Sequence, residues 1–64
     1  MIVTINYPCF SNVYKLYEDG GKRIGSVTIY TSGAYAGKIV IQSWNANYTK
    51  RDVRKLFNEW RKKQ

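Results

Sequence analysis

Apolar residues recur at i, i+3, i+4 and i+7 near the end of the chain, as Val53, Leu56, Phe57 and Trp60. That spacing puts all four on one stripe of a helix with 3.6 residues per turn. Thr49 stands where an N-cap is needed, Asp52 is a shortened capping-box partner three positions later, and Tyr48 with Val53 forms the hydrophobic staple. The pattern predicts a helix within Thr49 to Gln64.

Upstream the period drops to two. Ile2 to Tyr7 reads as a strand with Val3, Ile5 and Tyr7 on one face and Ile2, Thr4 and Asn6 on the other, ended by Pro8, which has no amide hydrogen to give a ladder. Val13 to Asp19 and Lys22 to Thr31 flank Gly20-Gly21, a dipeptide suited to a two-residue hairpin turn at positive φ. With those glycines as the loop, Asp19 faces Lys22, Glu18 faces Arg23, Tyr17 faces Ile24, Leu16 faces Gly25 and Tyr14 faces Val27. Opposite charges and apolar residues then match in one register, and a one-residue slip would turn every side chain of one strand over. A longer loop around Ser32-Gly33-Ala34-Tyr35-Ala36 leads to a last strand, in which Ile39 meets Ile29 and Ile41 meets Val27.

These registers gather Tyr14, Leu16, Val27, Ile29, Ile39 and Ile41 on one sheet face, where the helix stripe can cover them. The expected fold is α+β: a small three- to four-stranded antiparallel sheet with one C-terminal helix packed on one face, as a single domain over 1–64. A chain of 64 residues buries only about 60% of the surface its unfolded form exposes. One cysteine, Cys9, and no histidine exclude an internal disulfide and give no metal-ligand spacing, so neither metal nor cofactor is expected and Cys9 is assigned to a buried or turn-packed position.

The face turned away from the helix carries a different chemistry. Its expected rows are Tyr17, Ile24 and Trp44; Lys15, Ser26 and Gln42; Val13, Thr28 and Val40; and Tyr30 beside Lys38. Flat rings alternate there with amines, an amide and hydroxyls, which suits stacking on bases while lysines follow phosphates. Packing and strand propensity alone also favour Tyr, Trp, Thr and Val in strands, so the same rows fit a small apolar cluster at an interface. Tyr35 projects from a loop of small residues, either toward a ligand or back onto the core.

Charge narrows the partner. The net charge is +7, and the C-terminal segment supplies five of those seven, its seven cations standing against Asp52 and Glu59 alone. Polyanions are the natural partners of such a chain, although Arg61, Lys62 and Lys63 also complement the negative end of the helix dipole. The acids Glu18, Asp19, Asp52 and Glu59 are accounted for by hairpin pairs, capping and i±4 pairs, which leaves none for general acid–base work. Gly20 to Gly25 lacks phosphate-loop spacing and leads into a strand. No catalytic site is expected.

The reading is therefore a small basic nucleic-acid-binding protein, sequence-tolerant, for single-stranded DNA, RNA or double-stranded DNA. Its contact face is the exposed sheet face with Lys15, Tyr17, Arg23, Tyr30, Lys38, Gln42 and Trp44, and Lys50, Arg51, Arg54, Lys55 and Arg61 on the solvent side of the helix add phosphate contacts. In architecture alone, a small antiparallel sheet followed by a basic helix resembles small DNA-binding modules such as integrase arm-binding domains. The rival reading is a small protein-binding inhibitor or adaptor aimed at an acidic surface of a host nucleic-acid enzyme, of the kind a phage or mobile element encodes. A half-covered sheet also allows a homodimer. No apolar run approaches the ~18 residues of a membrane span, no leader pattern opens the chain, and an unpaired cysteine suits a reducing compartment, so a cytoplasmic location is expected.

Overall fold

Five elements follow one another as β1 (Ile2–Tyr7), β2 (Ser11–Tyr17), β3 (Arg23–Tyr30), β4 (Ile39–Ser43) and α1 (Lys50–Lys62). The computed structural model describes residues 2–7 and 11–64, the side chains of residues 5–7 excepted; the expectations for Pro8 and Cys9 lie outside the described residues. All four strands form one antiparallel sheet in the order β1-β2-β3-β4, with α1 packed over β3 and β4. This is the expected α+β layout with the strand number settled at four.

The core is the expected one with two changes, and on the outer face Val13 and Ser26, expected in open rows, are buried. Leu16, Val27, Val53 and Phe57 are buried together, and Tyr14, Ile29, Ile41, Leu56 and Trp60 pack around them. Tyr14, Phe57 and Trp60 form a ring cluster with centroids 4.8 to 5.8 Å apart, the tilted geometry that aromatic pairs favour. Ile29 faces Ile39 and Val27 faces Ile41, as the pattern predicts.

The first change is Ile24. It was expected on the outer face beside Tyr17 and Trp44, but it is 4% exposed and belongs to the core. The cause lies in the turn. Gly21 N–H donates to Glu18 O at 3.1 Å and Glu18 N–H to Lys22 O at 2.9 Å, so the tight turn runs from Glu18 to Gly21 instead of centring on the two glycines. Both glycines have positive φ, 90° and 79°, which suits that tight path. Tyr17 therefore pairs with Arg23, and a bulge between Leu16 and Tyr17 restores the expected pairing of Leu16 with Gly25 and Tyr14 with Val27. The extra residue, Ile24, is turned to the helix side, as bulges re-aim side chains. The expected charge pairs of Asp19 with Lys22 and Glu18 with Arg23 are accordingly out of register.

The second change is Ile39, expected under the helix but 54% exposed. A 13-residue helix is about 20 Å long. Its stripe covers Val27 and Ile41 and leaves a groove beside Ile39 at the open edge of the sheet.

The helix begins as the sequence predicts. Thr49 N–H and Oγ1 donate to Asp52 Oδ2 at 2.8 and 3.0 Å, and Asp52 N–H donates back to Thr49 Oγ1 at 3.2 Å. Tyr48 packs against the core cluster that contains Val53. Hydrogen bonds from the Thr49 backbone, then from its side chain, hold the Asp52 carboxyl below the usual carboxylate range. A carboxyl depressed in the folded state contributes stability above its unfolded value, near 3.9, and that contribution is lost as pH falls through the lower folded value. Thermal melts are thus expected to lose stability on acidification below about pH 4, with Asp52→Asn flattening that loss. Thr49→Ala should cost about 1 kcal/mol at neutral pH.

Candidate nucleic-acid interface

Trp44 follows the last residue of β4, yet it is held as firmly as a strand residue. Its N–H donates to Ile24 O at 3.3 Å, which extends the β3–β4 ladder by one step. On the far side of it, Asn47 N–H donates to Asn45 Oδ1 at 3.0 Å and Tyr48 N–H to Asn45 O at 2.9 Å, an Asx-type turn. The Ser43 hydroxyl closes the same loop by donating to Tyr48 O, with Asn45 O 3.1 Å away. Strand, loop and helix start are thereby tied together around one indole.

The ring is 44% exposed and lies on the face turned away from the helix. Arg23 places its guanidinium 4.0 Å from the ring centroid, and Lys15 brings Nζ to 5.2 Å. Each such cation–π contact is worth about 0.5–1 kcal/mol at an exposed site. Arg23 reaches the ring because the bulge that sends Ile24 inward pairs Arg23 with Tyr17. The adjacent row is Lys15, Ser26 and Gln42, in the expected register, with Gln42 exposed, Lys15 half-buried and Ser26 buried.

A second aromatic group with a cation stands at the other end of β3. Tyr35 is 62% exposed, its ring centroid lies 5.8 Å from that of Tyr30, and Lys38 Nζ lies 5.4 Å from the Tyr35 ring. Tyr30 N–H donates to Lys38 O at 3.0 Å, and Gly37 N–H to Tyr30 O at 2.7 Å, which anchors the loop to the strand. The two groups are separated by the length of β3, on the order of 20 Å.

The remaining expected residues are placed elsewhere. Tyr17 is half-buried and lines a mostly apolar groove on the helix side with Ile2, Leu16, Ile24, Leu56 and Trp60, rimmed by Glu59 and Lys63. Lys50, Arg51, Arg54, Lys55 and Arg61 are exposed on α1, which packs on the other face of the sheet from Trp44. The two sets belong to different faces of the sheet. Three of the four acids, Glu18, Asp52 and Glu59, line a groove with Lys55 between the hairpin turn and the helix start, where Glu18 accepts a hydrogen bond of 3.2 Å from the Tyr48 hydroxyl. That bond, first among the causes, raises the Tyr48 pKa. Among the described residues no cluster of His, Cys, Asp or Glu is arranged to hold a metal ion.

Sequence reasoning missed Ser43 and Asn45, the residues that fix Trp44. The Asn45-Ala46-Asn47 run was the available signal, since asparagine favours turns that bond their own backbone.

Fold and face together define a small α+β module: a four-stranded meander, one face closed by a C-terminal helix, the other presenting rings and cations. Among the described residues no helix is long and apolar enough to cross a membrane. No family model, curated protein or solved structure matches this chain.

Proposed function

We propose that this chain is a sequence-tolerant nucleic-acid-binding protein that lays a strand across the outer face of its sheet, and that it binds without catalysing. The observation that carries this reading is Trp44, an exposed indole with Arg23 and Lys15 against it. Bases stack on aromatic rings and on guanidinium planes alike, so Trp44 and Arg23 form one platform, and Lys15 supplies a cation for the phosphates beside it. None of the four acids belongs to the outer rows of the sheet, which leaves this face uniformly attractive to a polyanion.

Stacking favours single strands, because the bases of a duplex are already stacked on one another. The helix cations take a secondary part, adding long-range attraction and contacts to strands long enough to pass around the molecule. Removing a phosphate-contacting cation lowers the slope of log affinity against log salt by about one unit. For a short single-stranded oligonucleotide, Lys15→Gln is expected to lower that slope and Arg51→Gln to leave it unchanged. The measurement is fluorescence anisotropy over a salt series. No oligonucleotide binding even near ~50 mM salt would reject the proposal.

A further inference from the structure

The sheet has an open edge along β4, and its hydrogen-bonding phase can be read from its two ends. Tyr30 N–H donates to Lys38 O at one end, and Trp44 N–H donates to Ile24 O at the other. Backbone groups in an antiparallel pair alternate in direction. Val40, Gln42 and Trp44, together with the Lys38 carbonyl, therefore turn their backbone groups toward β3, while Ile39 and Ile41 turn theirs away from it. The side chains of Ile39 and Ile41 lie on the helix side, at a groove of about 210 Å³ that also takes in Phe57, Arg54 and Arg61.

Edge strands are normally blunted by proline, a bulge or an inward-pointing charge. β4 contains no proline and pairs with β3 without a bulge, and Ile39 on it is 54% exposed. Above this edge stand two arginines and no acid. Arg54 and Arg61 are two helical turns apart, about 10 Å along the axis. Alternate side chains of a strand are separated by about 6.8 Å, and those four apart by about 13 Å, so two acidic side chains on one face of an added strand fall within reach of both guanidiniums.

We propose that the β4 edge and its groove take an acidic, extended peptide from a partner protein as a fifth strand. The main chain pairs with Ile39 and Ile41, and alternate glutamates or aspartates meet Arg54 and Arg61 over the apolar floor. A second copy is the poorer occupant. Pairing β4 with β4 of another molecule would bring both helices to the same side of a continuous sheet and set their arginines against one another. A phosphate chain would use the arginines but leave Ile39 and Ile41 exposed and their amides unpaired. This surface is separate from the Trp44 platform, although Arg54 and Arg61 are also among the helix cations that add phosphate contacts in the nucleic-acid reading.

The test uses the full chain and a short, end-blocked peptide of alternating glutamate and valine, followed by amide exchange in NMR. Binding is expected with new protection of the Ile39 and Ile41 amides, and the same peptide N-methylated at every second residue should not bind. Arg54→Gln and Arg61→Gln, at exposed helix positions, are each expected to weaken it by about tenfold, whereas Trp44→Ala leaves it unchanged. Equal binding of a lysine–valine peptide would overturn the proposal. So would protection of Ile39 and Ile41 that rises with protein concentration alone, or that an oligonucleotide produces in place of the peptide.

Discussion

Gly25→Ala is expected to remove a large share of the stability of this protein. A Cβ at that position would lie 2.5 Å from the backbone oxygen of Gln42 and 2.6 and 3.0 Å from the two methyls of Val53. Val53 is fully buried and Gln42 O belongs to the neighbouring strand, so neither neighbour moves cheaply. Overpacking a tight core costs about 1–3 kcal/mol and occasionally more. A 64-residue domain has a total stability of roughly 3–10 kcal/mol, so one methyl group removes from about a tenth of it to nearly all of it. Urea unfolding measures the effect directly. A variant within about 0.5 kcal/mol of the parent would show that α1 sits farther from β3 than this packing requires.

Trp44→Ala is expected to weaken single-stranded oligonucleotide binding by about 1–3 kcal/mol, roughly 5- to 150-fold, through loss of one stacked base. Its effect on folding should be small, because the ring is 44% exposed and stands outside the core cluster. Binding and stability therefore separate in this variant, which distinguishes a contact residue from a packing residue. Trp60, the other tryptophan, packs against Phe57 and Tyr14 on the opposite side of the sheet. Fluorescence quenching by bound oligonucleotide should accordingly come from Trp44 and disappear in Trp44→Phe. Unchanged affinity in the folded Trp44→Ala protein would reject the platform and leave the outer face as an ordinary strand surface.

Much of the fold was readable because its signals are local. A stripe at i, i+3, i+4 and i+7 and a capping box have only one helical solution, and the alternation of Leu16, Tyr14, Val27, Ile29 and Ile41 sets register because a slip would expose the core. The hairpin shows where this logic ends. Charge matching around Gly20-Gly21 and hydrophobic matching farther along the strands agreed on paper, but the Glu18 to Gly21 turn shifts the register by one at the tip, and the bulge at Ile24 absorbs the difference. Burying Ile24 outweighs aligning two exposed ion pairs, since a buried isoleucine is worth about 1.5–3 kcal/mol and surface pairs typically well under 1.

The candidate site was legible as a list of residues and illegible as an arrangement. Lys15, Arg23 and Trp44 were all picked out by type, but that Arg23 lies over the indole follows from the bulge. Tyr17, picked by the same reasoning, lines a groove on the helix side. The basic residues of the helix read as one charge with those of the strands, but the fold sets the helix on the other face of the sheet.

Periodicity, capping and cross-strand matching are properties of neighbours in the chain, so the sequence by itself determined the elements, their order, most of the pairing and most of the core. Which of two residues a bulge turns inward, which end of a strand a short helix leaves open at Ile39, and which cations share a face with Trp44 depend on contacts between distant segments. Those were decided only when the helix and sheet closed on each other, because the free energy of burial belongs to the assembled core and not to any one stretch of it.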